Sequence, residues 1–260
     1  MVLLNDSKPN IVYFPDGTKL IRNTVINDNC ITWKYDSEDE LLTVLYLAAH
    51  CKSKGRKVEL FMPYIPNARM DRIKKPDEVF TLKYFANLIN SAGFHTVTVL
   101  DPHSPVSEAL INRLHVFDSS YFIKKAIDRC KPDVLFFPDE GALKKYTAVN
   151  DWNMPYGFGV KKRDWRTGKI KSLKVEGFDD WDVKGEKVLI VDDICSKGGT
   201  FYHSATTLDE MGAKEIYLYV THCENTISQG ELLNTDLIKK IYTTDSIYRG
   251  DSEKVEVFNV

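Results

Sequence analysis

Several things are scarce or missing in this chain, and each absence removes a class of protein. No apolar run approaches the ~18 residues that cross a bilayer, so no membrane span is expected. The opening MVLLNDSKPN has neither a basic start nor a long apolar stretch, so no secretory leader is expected. Cysteine is sparse and odd in number: Cys30, Cys51, Cys130, Cys195 and Cys223, with no closely spaced pair. That argues against a disulfide framework and against zinc or redox motifs, and for reduced thiols in the cytoplasm. Neither charge sign dominates. The 35 Lys and Arg against 37 Asp and Glu give a formal net charge of −2, which supplies no electrostatic reason to expect nucleic acid. Low-complexity segments are also absent. What remains is an ordinary globular composition, 43% hydrophobic and 28% charged over 260 residues, enough to bury a real core without staples.

Hydrophobic patterning alternates short β-type runs with longer amphipathic ones. Strands are predicted over residues 11–14, 20–24, 30–34, 57–62, 96–100, 134–137, 156–160, 187–191, 215–220, 238–243 and 255–258. Helices are predicted over 38–54, 79–92, 106–110, 121–130, 141–147, 200–211 and 227–233. The first helix reads as capped by Ser37, with Glu40 at the capping-box position. Strands alternating with helices argue for an α/β fold with parallel sheets. The pattern occurs twice, which places a domain boundary near residue 140: a domain over 1–140 and another over 141–260, the last strand free to return to the first domain. Residues 163–186 read as a long, charged loop of the kind that serves as a functional lid.

The most informative stretch is Val188–Thr200, VLIVDDICSKGGT. A continuous β-branched run, the mark of a buried parallel strand, leads into two acids and then a glycine pair where a helix begins. Glycines at such a junction let backbone N–H groups approach a phosphate, and the helix N-terminus adds partial positive charge. Ser196 and Thr200 offer hydroxyl donors and Lys197 a cation, while Asp192 and Asp193 suit ribose hydroxyls or a metal. The spacing is not that of a Walker A loop. The bland alternative is an ordinary strand-to-helix turn with a solvated acidic pair.

This stretch resembles the loop that binds 5-phosphoribosyl 1-pyrophosphate (PRPP) in type I phosphoribosyltransferases and in ribose-phosphate pyrophosphokinases. Further segments, in the right order, resemble the pyrophosphokinases. Phe14-Pro15-Asp16-Gly17-Thr18 is similar to that family's FSDGE, and the segment from Pro63 to Arg72, PYIPNARMDR, to its PYFxYARQDR. Asp101-Pro102-His103 is similar to DLH, Pro138-Asp139-Glu140-Gly141 with Lys144-Lys145 to PDAGGxKR, and Val160-Lys161-Lys162-Arg163 to DKRR. Thr221-His222 is similar to THG and Thr244-Asp245-Ser246-Ile247 to TDTI. The resemblance spans nearly the whole chain.

It implies two tandem phosphoribosyltransferase-like domains, each a mainly parallel sheet flanked by helices. It also implies transfer of the β,γ-pyrophosphoryl group of ATP to the anomeric hydroxyl of ribose 5-phosphate, with Mg²⁺ as cofactor and AMP as the second product. On that reading Lys161 and Arg163 are catalytic. Phe14, Asp16, Arg69, Asp71, Arg72 and His103 bind ATP, Phe14 and Asp16 doing so across a subunit interface. Asp192, Asp193, Ser196, Lys197, Gly198, Gly199 and Thr200 hold the ribose phosphate. His103 and Asp139 approach the metal, although magnesium prefers oxygen, so His103 alternatively meets a phosphate or a metal-bound water. A homodimer or higher homo-oligomer with shared sites follows. Other readings stay open residue by residue: solvated arginines at 69 and 72, a solvated basic run at 161–163, and a core role for Phe14.

Where the family's loop reads DDxxDTAGT, this chain has Ser196, Lys197 and Gly198; Met70 and Thr18 also replace a glutamine and a glutamate. The chain reads as a shortened and divergent member with a less acidic, more open pocket. That leaves room for a larger acceptor such as ADP-ribose, which would yield its 1-pyrophosphate for rebuilding NAD. A non-catalytic regulatory relative and a phosphoribosyltransferase are the remaining alternatives.

Overall fold

A computed structural model describes residues 1–22, 29–163, 170–177 and 182–260, with side chains described outside 161–174. The chain divides into two compact units, Met1–Phe117 and Asp118–Val260.

The first unit runs β1 (Val2–Leu4), β2 (Asn10–Tyr13), β3 (Lys19–Arg22), β4 (Cys30–Trp33), α1 (Glu40–Ser53), β5 (Glu59–Phe61), α2 (Thr81–Ala92), β6 (Thr96–Leu100), α3 (Pro105–Leu110) and β7 (Leu114–Phe117). Its sheet has the order β1-β4-β5-β6-β7, parallel except for β1. Strands β2 and β3 form a separate antiparallel hairpin, and positions 23 and 24 of the predicted strand lie outside the described residues. The core gathers Ile31, Trp33, Leu47, Leu60, Leu82 and Ile89. Asp39, not Ser37, occupies the N-cap of α1, without a side-chain cap bond. Glu40 is drawn elsewhere: its Oε2 accepts from Trp33 Nε1 at 2.9 Å and from Asp36 N at 3.0 Å.

The second unit runs α4 (Ser120–Cys130), β8 (Val134–Phe137), α5 (Glu140–Val149), β9 (Tyr156–Arg163), β10 (Ile170–Glu176), β11 (Lys187–Cys195), α6 (Gly199–Glu210), β12 (Glu215–Cys223), β13 (Lys240–Thr244) and β14 (Val255–Phe258). The sheet order is β10-β9-β8-β11-β12-β13-β14, parallel throughout except for β10. Val188 to Val191 are fully buried, at about 2 kcal/mol of hydrophobic stabilisation per side chain, which fixes β11 at the centre.

The predicted α/β class with mainly parallel sheets flanked by helices holds, with three corrections. The division falls after Phe117, not at 140, because β8 pairs with β11 in the second sheet. The last strand, β14, pairs with β13 in that same sheet and does not return to the first unit. Within the predicted loop 163–186 the chain forms β10, antiparallel to β9. The alternation Leu173-Lys174-Val175-Glu176 is a strand pattern that the charge count conceals.

Candidate active site

Strand order decides where a ligand sits on the second unit. From β8 the chain winds one way to β9 and β10, and from β11 the other way to β12, β13 and β14. The switch point therefore lies between β8 and β11, whose carboxyl ends are the usual ligand position in an open α/β sheet. Asp139 follows β8, while Asp192 and Asp193 lie in the carboxyl half of β11. The strand predicted over 187–191 extends to Cys195, so both acids stand on it, and its pairing with β12 runs through Asp192 and Ile194 on either side of Asp193.

Asp193 is buried, 6% exposed, and its Oδ2 receives Lys145 Nζ from α5 at 3.2 Å. Asp193 N donates to Asp192 Oδ1 at 2.9 Å. The Lys144-Lys145 pair has no legible role in the sequence, since only the fold brings Lys145 of α5 to Asp193. Asp139 is the N-cap of α5, its Oδ1 accepting from Ala142 N at 3.1 Å. One carboxylate can cap a helix and still offer lone pairs to a cation. Asp139→Ser is therefore expected to keep thermal stability within about 0.5 kcal/mol while lowering activity, whereas Asp139→Ala loses about 1 kcal/mol as well. Unchanged activity in Asp139→Ser would reduce Asp139 to a cap.

The loop Ser196–Gly199 leads straight into α6. Gly198 is its N-cap at φ +82°, a conformation that favours glycine. A Cβ there would lie 2.1 Å from Leu232 Cδ1, so the space a side chain leaves behind is already filled by Leu232. This corrects the expected open pocket: glycine at 198 opens nothing. Lys197 and Gly199 are exposed, and Thr200 is half-buried in the first turn of α6.

Behind the loop runs the segment after β12, which nothing in the sequence ties to it. A 3₁₀ turn, Asn225–Gln229, replaces the start of the predicted helix 227–233. Glu224 N donates to Cys195 O at 2.8 Å, and Ser196 Oγ lies 3.0 Å from Thr226 Oγ1, which donates to Glu224 Oε2 at 3.2 Å. A Cβ on Gly230 would stand 1.9 Å from Lys197 O. The motifs around Thr221 and Thr244 also meet: Thr244 Oγ1 donates to Thr221 O at 2.6 Å, and His222 Nδ1 lies 2.8 Å from Ser246 Oγ. These buried groups clamp the carboxyl ends of β12 and β13. Cys195 and Cys223, register partners on β11 and β12, are buried, and the Cys223 thiol together with burial pushes the Cys195 thiol far up.

Lys161 and Arg163 close β9, which runs parallel to β8, and their backbones pair with Leu173 and Ile170 of β10. Their side chains lie outside the described set.

On the first unit, β5 and β6 are parallel neighbours, which brings the segments 63–72 and 101–104 to one sheet edge, where Leu100 N donates to Pro63 O at 3.0 Å. Arg69, Arg72 and His103 are exposed there, and Asp71 Oδ1 accepts from Arg72 Nε at 3.1 Å. Asp101, two residues before His103, is buried at 3% and stands at φ +46°. Phe14 and Asp16 stand apart on the tip of the β2–β3 hairpin. Phe14 is half-exposed, which rules out a core role within this unit. Hydrogen bonds from Thr18 N and Oγ1 hold the Asp16 carboxyl below its usual range.

A family model for a phosphoribosyl synthetase-associated domain matches residues 173–259. The ribose-phosphate pyrophosphokinase of Thermococcus kodakarensis is 30% identical over 220 residues, covering 80% of this chain and 75% of the relative. The chain belongs to the ribose-phosphate pyrophosphokinase family. It is accordingly a transferase. A second relative so named, from Sulfurisphaera tokodaii, is 29% identical over 259 residues, covering 95% of this chain and 87% of its own. The fold is that of the phosphoribosylpyrophosphate synthetase crystal structure from Mycobacterium smegmatis, with a TM-score of 0.75 at 19% identity over 97% of this chain and 86% of that one. Among the described residues no helix is long and apolar enough to cross a membrane.

Proposed function

We propose that this chain transfers the β,γ-pyrophosphoryl group of ATP to the anomeric hydroxyl of ribose 5-phosphate. The anomeric oxygen attacks the β-phosphorus and the bridge to the α-phosphorus breaks. AMP leaves with the bridging oxygen, and the hydroxyl proton is lost. The observation that carries this reading is the paired carboxylates of β11, at a topological switch point, running directly into the Gly198-capped N-terminus of α6.

Each side chain has a role suited to phosphoryl transfer, which is mostly positioning and charge neutralisation. Backbone N–H groups of 197–200, with Lys197 and Thr200, hold the 5-phosphate. Asp192 and Asp193 orient the ribose. Arg69 and Arg72, the latter braced by Asp71, grip the polyphosphate beside His103, and Phe14 and Asp16 take the adenine of a neighbouring copy in a homo-oligomer. Lys161 and Arg163 neutralise the transferring group. Among the described residues no three His, Cys, Asp or Glu side chains gather as a metal cage. Magnesium needs none, since it binds substrate phosphates through one or two carboxylates and retained waters. The hard oxygens of Asp139 and Asp192, at one sheet edge, fit it; the His103 imidazole does not, and is better assigned to a phosphate or to a metal-bound water. Magnesium, when bound, neutralises the polyphosphate. Five free thiols and a need for ATP favour a cytoplasmic setting.

A larger acceptor keeps one observation in its favour. Lys197 is exposed at the loop and can meet a second phosphate, as in ADP-ribose. Gly198 gives it no help, because Leu232 fills the space.

The test is AMP formation from ATP with magnesium, offered ribose 5-phosphate or ADP-ribose. Ribose 5-phosphate is expected to be converted, EDTA to abolish the reaction, and Lys161→Ala to slow it roughly 10²- to 10³-fold. Conversion of ADP-ribose alone transfers the reading to the larger acceptor. No AMP with either sinks both.

A further inference from the structure

The loop at 196–199 is backed by a hydrogen-bond chain, Glu224–Thr226–Ser196, and the chain has only one consistent direction. A carboxylate only accepts, and a hydroxyl carries a single hydrogen. Thr226 Oγ1 donates that hydrogen to Glu224 Oε2 at 3.2 Å. It therefore has none to give Ser196, 3.0 Å away on its other side, so the hydrogen between them belongs to Ser196. Ser196 is thereby committed as a donor to Thr226 and turns lone pairs to everything else. Glu224 is itself tied to the loop, its N–H donating to Cys195 O at 2.8 Å, so the chain cannot drift from the residue it orients.

A phosphate dianion also only accepts. An acceptor-only hydroxyl cannot bind it, and the phosphate falls to the backbone N–H groups, Lys197 and Thr200. On the proposed reading of this loop, on which the inference rests, the donor left for Ser196 is a sugar hydroxyl. We infer that Glu224, acting through Thr226, fixes Ser196 as a hydrogen-bond acceptor that recognises a ring hydroxyl of the acceptor sugar. Glu224 and Thr226 are positioning residues, and Ser196 is the specificity-determining contact. The serine thus presents lone pairs where its relatives carry a carboxylate, with the charge set two residues back along the chain of hydrogen bonds.

The experiment is calorimetric binding of ribose 5-phosphate, its 2-deoxy and 3-deoxy analogues, and inorganic phosphate, which needs no turnover. Wild type is expected to favour ribose 5-phosphate over one of the two analogues by roughly three- to tenfold, the worth of one hydrogen bond. Thr226→Val frees the Ser196 hydrogen and is expected to erase that preference, while Thr226→Ser retains it. Glu224→Gln, whose amide can donate, lets the chain run in reverse and is expected to erase the preference too; it decides the matter if the valine variant does not fold. Undiminished discrimination in Thr226→Val and Glu224→Gln overturns the inference and leaves the transfer reaction standing. So does a change that appears equally with inorganic phosphate, since the variants would then act on the phosphate and not on a ring hydroxyl. Wild type that binds no ribose phosphate at all overturns the reading of the loop together with the inference.

Discussion

Gly230→Ala is expected to lower kcat/KM by roughly 10²-fold or more, although Gly230 belongs to none of the proposed binding residues. Its backbone sits at φ −113°, which alanine adopts readily, so the effect is purely steric. The added methyl would lie 1.9 Å from Lys197 O and 2.9 Å from Lys197 C, and backbone atoms cannot rotate aside as a side chain can. The loop 196–198 must move outward by more than an ångström to reach ordinary contact. Displacement on that scale is enough to cost about 10²-fold where catalysis depends on position. Stability falls less, by about 1–3 kcal/mol, as expected of overpacking. The measurement is steady-state AMP formation beside a melting curve, with the exposed neighbour variant Gln229→Ala as control. Activity within threefold of wild type would show that segment 224–232 is not the template of the loop.

Lys145→Met is expected to cost a similar 10²-fold in kcat/KM, and about 2–3 kcal/mol in stability. The Lys145 side chain is 28% exposed and that of Asp193 only 9% exposed, so the ion pair lies well inside the range where removing one partner matters. Breaking a fully buried pair costs about 3–5 kcal/mol, and the partial exposure of Lys145 lowers that figure. The ammonium also balances the Asp193 carboxylate, and its loss leaves a buried negative charge next in sequence to Asp192, where the ribose is proposed to be oriented. Methionine keeps most of the aliphatic stem, which separates the loss of charge from the loss of packing. Lys145→Arg should restore the larger part of the stability. Unchanged kcat/KM in Lys145→Met, with normal magnesium dependence, would make Lys145 a bystander.

Both residues illustrate why part of the site is illegible in a linear reading. The strand-and-glycine run 188–200 announces itself, because its acids, spacer and glycines are contiguous and each has a local physical reason. The α/β class followed from the alternation of patterns for the same reason. Gly230 sits in a polar stretch where a glycine reads as an ordinary turn, and only the fold sets it against Lys197 O. Lys145 lies 48 residues before its partner Asp193. Thr226 and Glu224 follow a strand whose neighbour in the sheet is β11, and nothing in their own sequence says which strand that is. A better prior was available: residues just past the carboxyl end of any strand beside the switch point are candidates, whatever their type.

The sequence by itself determined the parallel α/β class, the strand-to-helix glycine loop proposed to grip phosphate, and the resemblance to the pyrophosphokinases, because those rest on contiguous residues and on patterns with fixed periods. Only the tertiary structure decided that the first unit ends at Phe117, because pairing of β8 with β11 is a long-range choice. It alone decided that glycine at 198 makes no room, because Leu232 arrives there from 34 positions onward. It also decided which way the hydroxyl of Ser196 points, because that hydrogen is fixed by a carboxylate on the neighbouring strand's exit and by nothing within the loop itself.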